Sequence, residues 1–238
     1  MSIRVGKYDY KNKVQPGTPG YTNVLIHTTG DLSPYTMRDE SGVIMENVWQ
    51  FGKCWEKVYK IKQPISRYNH ATRWEHGNEV HFEQRHVSDS ARVKDGKLTD
   101  AYWAWRDKGM HHNKWVRYPN GYKHHHEAIG SVIGTPDDYE IVGYIEARKR
   151  IYFPKYREIA IHTKQFKELQ QMLLDGINIQ INEVDGCQYM DLEPYDKVVN
   201  GSLEMTPEVL RQLINQPTQA FGHGFALAAC LMGVDLTQ

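Results

Sequence analysis

The chain has 238 residues, with 29 Lys plus Arg against 29 Asp plus Glu, and is 40% hydrophobic and 24% charged. That apolar content excludes a disordered chain, and the length suffices to bury a core without disulfide or metal staples. Zero net charge argues against a general nucleic-acid coat protein, and the longest apolar run, Phe225–Met232, falls far short of the roughly 18 residues of a membrane span. Met1 to Gly20 contains no apolar stretch of signal-peptide type. Three cysteines, Cys54, Cys187 and Cys230, have no paired spacing, so the expectation is a reducing, cytoplasmic setting with no membrane contact.

Residues 1–20 are polar, carry Pro16, Gly17, Pro19 and Gly20, and read as an N-terminal arm preceding one domain over 21–238. Thr22–Thr28 is β-rich and apolar and predicts a buried strand. A loop over Gly30–Asp39 leads to helical periodicity over Met45–Tyr59. Pro64–Arg73 reads as a loop, Glu79–Glu83 as a strand and Asp89–Gly96 as a turn. Thr99–Asp107 predicts a short helix capped by Thr99, and Gly109–Glu127 a basic, aromatic loop. Thr135-Pro136-Asp137-Asp138 has helix-start chemistry, predicting a helix to about Tyr152. Helices over Thr163–Leu174, Thr206–Asn215 and Phe221–Met232 and a strand over Ile177–Ile181 complete a helix-rich α+β chain with a few short strands.

On the first helix, at about 100° per residue, Glu46, Gln50 and Lys53 fall within about 60° of arc, with Trp49 beside them. Val48, Phe51, Trp55 and Val58 take the opposite side. An ordinary solvated face explains the charges, whereas an indole is an odd choice for a fully wet one. Glu183 and Asp185 have two readings as well: a turn after a strand, favoured by Asp185-Gly186, or reacting carboxylates.

The segment Gly30-Asp31-Leu32-Ser33-Pro34-Tyr35, followed by Glu46, Gln50 and Lys53 in Glu46-Asn47-Val48-Trp49-Gln50-Phe51-Gly52-Lys53, resembles the NADAR/YbiA-like family. That family carries a Ser-Asn-Phe-type loop and then a Glu-His-Tyr-Phe-Gln-Ala-x-Lys helix. Leu227–Met232 is similar to the family's closing Leu-Gly-x-x-Leu-Met, and Lys155–Glu183 to its helices and acidic strand. Pro34 stands where the family has Asn, the family's Trp-Gly segment is replaced by Gly186-Cys187-Gln188-Tyr189, and Ser66–Ser131 has no counterpart.

The resemblance implies a NADAR/YbiA-like fold and an N-glycosidase that cuts the bond between ribose C1 and an exocyclic nitrogen, without a cofactor. The implied substrates are ADP-ribosylated guanine in DNA or RNA, or a ribosylamino-pyrimidine nucleotide. Glu46, Lys53, Glu183 and Asp185 are its implied reacting residues. Ser33, Tyr35, Trp49, Gln50, Arg106, Arg117 and His223 are the candidate substrate contacts, Trp49 or Tyr35 by stacking on a base. The alternative is a non-catalytic nucleotide or nucleic-acid binder using the basic aromatic segment Trp103–Lys123, whose composition also suits an ordinary loop packed by its tryptophans.

His111-His112 and His124-His125-His126 invite a metal reading, but consecutive residues do not converge on one site, so no metal is expected. Gly222-His223-Gly224 precedes a helix whose amides can hold an anion.

Overall fold

The computed structural model describes residues 1–27, 29–55, 93–94, 97–98, 100–115, 128–187 and 192–238. In chain order the elements are β1 (Ile3–Lys7), β2 (Tyr21–Leu25), α1 (Met45–Phe51), β3 (Lys53–Trp55), β4 (Val93–Lys94), β5 (Lys97–Leu98) and α2 (Asp100–Met110). There follow β6 (Ala128–Thr135), β7 (Asp138–Val142), α3 (Tyr144–Ala147), a π-helical turn (Arg148–Tyr152), α4 (Phe153–Ala160), α5 (Lys164–Leu174) and β8 (Asn178–Glu183). A 3-10 turn (Tyr195–Lys197), β9 (Ser202–Glu204), α6 (Pro207–Ile214) and α7 (His223–Met232) close the chain. The mixture is α+β, and none of the described helices is long and apolar enough to cross a membrane. The chain divides into two compact units, Met1–Met37 with Arg148–Gln238, and Arg38–Ala147.

The first unit is built on a four-stranded sheet in the order β2-β8-β1-β9, with β8 parallel to both β1 and β2, and β9 antiparallel to β1. Residues 3–7 are therefore an inner strand, not part of an arm. Ile3 and Val5 alternate into the core, while Arg4 between them reaches Ser202 Oγ at 2.8 Å and Ser202 O at 2.7 Å. Five residues broken by Arg and Gly give too short an alternation to read locally, and non-local pairing decides. The Pro16 segment lies against the sheet: Gln180 and Asn182, both fully buried on β8, donate to Pro16 O at 2.7 and 3.2 Å. Gly6 permits this approach, since a Cβ there would stand 2.6 Å from the Pro16 ring and 2.3 Å from Asn182 Oδ1.

Strand β2 runs only over Tyr21–Leu25 and is the exposed edge rather than the expected buried strand; burial begins after it, at Ile26. Helix α7 buries Phe225 through Ala229 and packs on β1 and β8, with α4, α5 and α6 against it. The helices expected from Thr163 and Thr206 are capped by these residues: Thr163 Oγ1 accepts from Phe166 N at 3.1 Å and Thr206 Oγ1 from Val209 N at 3.2 Å. The buried Arg148 donates to Ile214 O at 3.2 Å, Gln216 O at 2.6 Å and Gln219 O, holding the carbonyl end of α6.

The second unit contains a three-stranded antiparallel sheet, β3-β6-β7, and a two-stranded antiparallel pair, β4-β5, whose first strand falls within the segment expected as a turn and whose second follows it. Helix α2 begins one residue past the expected cap and runs on to Met110. Helix α1 ends at Phe51, not near Tyr59, because Gly52 O accepts from Val132 N at 2.7 Å and the chain joins β6 as a strand. Thr135-Pro136-Asp137-Asp138 does not start a helix; it turns β6 into β7. Gly134 has φ +109°, and a Cβ there would stand 2.2 Å from Asp138 O, while Ile133, Ile141 and Val142 favour strands on either side. The expected elements over 64–73 and 79–83 lie outside the described residues.

Candidate functional site

Two constellations emerge, one in each unit. In the second unit, α1 turns its polar side inward: Glu46 is 6% exposed and Gln50 3%, whereas Val48, expected in the core, is half-buried. The solvated face expected from the helical wheel is thus a buried polar line. Gln50 Nε2 donates to Glu46 Oε1 at 2.7 Å, and Lys53 Nζ donates to Gln50 Oε1 at 3.1 Å. The amide of Gln50 is a relay, its nitrogen on the carboxylate and its oxygen on the ammonium, which fixes each group against the residue between them. Lys53 is not on the helix as expected but is the first residue of β3, and it still returns to the same line.

The half-buried Trp49 stands beside this line, with Lys53 Nζ 5.3 Å from its ring centroid. Tyr144, on α3, lies 6.1 Å from the same indole, tilted at 44°. The sequence reading missed Tyr144, because Thr135–Tyr152 read as one continuous helix; the only local signal is an aromatic after Gly143 at a strand end.

Arg106 is not presented to a ligand. Its guanidinium donates to Val132 O at 3.1 Å and Gly134 O at 3.2 Å, tying α2 to β6, and stacks 5.1 Å from the Trp103 ring. Arg117 lies outside the described residues. Burial pushes the Cys54 thiol up to about 12, so this residue is a core side chain and not a nucleophile at neutral pH.

In the first unit, Glu183 ends β8, fully buried. Its carboxylate sits in the mouth of α7: Gly224 N donates to Oε1 at 2.9 Å, and His223 Nδ1 lies 2.9 Å from Oε2. The anion expected at this helix N-terminus is therefore the chain's own side chain. Gly222 and Gly224 make the cradle, since a Cβ on them would stand 2.4 and 2.9 Å from Glu183 Oε1. Burial disfavours the His223 imidazolium, but the charge and hydrogen bonding of Glu183, with Asp185 and the Ile26 carbonyl, offset it and hold the pKa above the ordinary value. The buried His223 Nε2 has no hydrogen-bond partner. Nearby His27 is shifted the other way, by burial and then by the charge of His223.

Asp185 is exposed in the turn closed by Gly186 N to Glu183 O at 3.2 Å, as the turn reading expected. Ser33 is fully buried and its Oγ accepts from Tyr35 N at 3.4 Å, while Tyr35 is half-buried. Tyr156 OH donates to Leu32 O at 3.0 Å and pins the same loop. Within the units, then, Glu46, Trp49, Gln50 and Lys53 come together, and separately Glu183 with His223 and Ser33 with Tyr35.

Among the described residues no three His, Cys, Asp or Glu side chains gather as a metal-holding group. His111 and His112 bond locally, to Asp107 O and Lys114 O, and His124–His126 lie outside the described residues. A surface cleft of about 520 Å³ lined by Glu193, Arg211, Gln212, Asn215 and Gln216 contains none of the expected site residues. No family model, curated protein or solved structure matches the chain.

Proposed function

We propose that the protein is a divergent NADAR/YbiA-like N-glycosidase that releases ribose or ADP-ribose from an exocyclic nitrogen, on guanine in nucleic acid or on a ribosylamino-pyrimidine nucleotide. The observation that carries this reading is the Glu46–Gln50–Lys53 line with Trp49 alongside: a buried carboxylate, a fixed amine and an aromatic ring within one unit. Cleavage of the C1–N bond builds positive charge on the sugar, which a carboxylate such as Glu46 stabilises, and the leaving nitrogen takes the proton that the Lys53 ammonium gives up. The freed Lys53 amine then adds to C1, its proton passes to the ring oxygen as the C1–O ring bond breaks to leave a protonated Schiff base, and addition of water to C1 releases the sugar and returns Lys53.

The protein is incubated with ADP-ribosylated guanine DNA and with ribosylamino-pyrimidine nucleotide, and released sugar is measured. Glu46→Gln keeps an acceptor for Gln50 and is expected to cut turnover by about 10²–10⁴ in a folded protein. Lys53→Arg keeps the charge and removes the nucleophile, so it should be as inactive as Lys53→Ala, and borohydride during turnover should trap sugar on Lys53. An active Lys53→Arg protein with no trapped adduct rejects the covalent step. Binding of both compounds without release of sugar rejects the enzyme and leaves a nucleotide-binding protein.

A further inference from the structure

We propose that strand β2 is the interface of a homodimer, in which two copies of the chain pair β2 with β2 antiparallel about Asn23 and join their sheets into one. This does not rest on the Glu46–Gln50–Lys53 line. Strand β2 is an outer strand, and its register with β8 runs without a shift from Tyr21 opposite Asn178 to Leu25 opposite Asn182. Ile26 N donates to Asn182 O at 2.9 Å, which fixes the phase of the strand. In a ladder alternate residues bond to the neighbour, so Thr22, Val24 and Ile26 bond toward β8, while Asn23 and Leu25 turn their N–H and C=O outward. Thr22, Asn23 and Leu25 are exposed, Leu25 at 42%.

Such an edge is a template for a further strand, and folded proteins blunt it with charge, proline or a bulge. The opposite edge, β9, is three residues long and carries the exposed Glu204. Tyr21-Thr22-Asn23-Val24-Leu25 carries none of these devices. A second copy fits it because the strand is complementary to itself. A two-fold axis at Asn23 sets Asn23 opposite Asn23, Thr22 opposite Val24 and Tyr21 opposite Leu25. These are β-branched and aromatic–aliphatic cross-strand pairs, with no charge to repel the other copy. The chain's zero net charge adds no overall repulsion. The outward groups match as well: Asn23 exchanges both bonds with its copy, and each Leu25 N–H meets the other Tyr21 C=O, about four hydrogen bonds in all. Tyr21 N is already given to Thr18 O at 3.1 Å, which ends the ladder there. Five residues of edge bury less than the roughly 800 Å² per partner of a standard interface, so the dimer is weak, with Kd on the order of 10 μM.

The test is sedimentation equilibrium of the full chain up to about 0.5 mM, well above that Kd. The protein should pass from monomer to dimer. Leu25→Pro removes an outward N–H and leaves the pairing with β8 intact, since Pro is tolerated on an edge strand. It should weaken the dimer by about 5–150-fold, the net worth of two hydrogen bonds. Circular dichroism confirms its fold. Register is read by oxidation and non-reducing electrophoresis. Asn23→Cys places two thiols across the axis at a Cα separation of roughly 5.5 Å, within disulfide reach, and should give a covalent dimer. Thr22→Cys, whose copies are not opposite one another, should not. The native thiols do not compete: Cys54 and Cys187 are buried, and burial pushes the Cys230 thiol up to about 12. A monomer at every concentration, a dimer untouched by a folded Leu25→Pro, or cross-linking through residue 22 as readily as through 23 overturns the proposal. If Leu25→Pro does not fold, the comparison of the two cysteine variants decides alone.

Discussion

Glu183→Gln removes one charge from the buried pair in the first unit while keeping the size of the side chain. Glu183 is fully buried, its side chain 0% exposed, and the His223 side chain is 11% exposed, so solvent screens the pair little. Removing one partner of such a pair costs about 3–5 kcal/mol, because the remaining charge is left without compensation. For a chain of this length, with about 2–4 °C of melting temperature per kcal/mol, the loss is roughly 6–20 °C. The cost depends on pH in a defined direction. The His223 pKa is held above 6.5, so the folded protein binds a proton that the unfolded chain gives up. The pair's contribution is complete below that unfolded value and is lost as pH rises through the folded one. The variant keeps only the lesser charge effect of Asp185 to hold the proton. The gap between the two proteins, followed by thermal unfolding in circular dichroism, should therefore be widest near pH 6 and narrow toward pH 9. A gap under about 1 kcal/mol at pH 6, or one that stays constant with pH, refutes the ion-pair account.

Gly109→Ala should destabilise the second unit by about 1–3 kcal/mol or more, because its Cβ would stand 2.1 Å from the Phe51 ring; urea unfolding checks this. A variant as stable as the parent would mean that α2 and α1 are not packed through this contact. Tyr156→Phe leaves Leu32 O without the 3.0 Å bond, at a cost of about 1–3 kcal/mol in a buried setting, and should raise hydrogen exchange of the 30–37 loop; unchanged exchange would dissociate Tyr156 from that loop.

What the sequence determined by itself is what short-range chemistry decides. Thr163 and Thr206 each cap a helix by bonding an amide three residues on, Gly176 and Gly233 accept positive φ just past helix ends, and α5 and α6 follow with their expected limits. The same locality made the Glu46, Gln50 and Lys53 spacing visible, and it showed the Gly222-His223-Gly224 mouth as a place for an anion.

Tertiary structure decided the rest, because the deciding partners are distant in sequence. Ile3–Lys7 became an inner strand through β8, where Ile3 pairs with Ile179. Met45–Tyr59 has helical periodicity, yet α1 yields at Gly52 to pairing with β6. Thr135-Pro136-Asp137-Asp138 fits a helix start and a tight hairpin equally well, and the β-branched residues on both sides pair only in the hairpin. Glu46 and Gln50 lie opposite Phe51 on a wheel, but a short helix enclosed by other elements buries its polar side too, and hydrogen bonding between the side chains makes that burial tolerable. Arg106 was legible as a cation; only the fold assigns it to the carbonyls of β6. Glu183 was legible as a carboxylate at a strand end; only the fold brings it to the helix mouth that neutralises it.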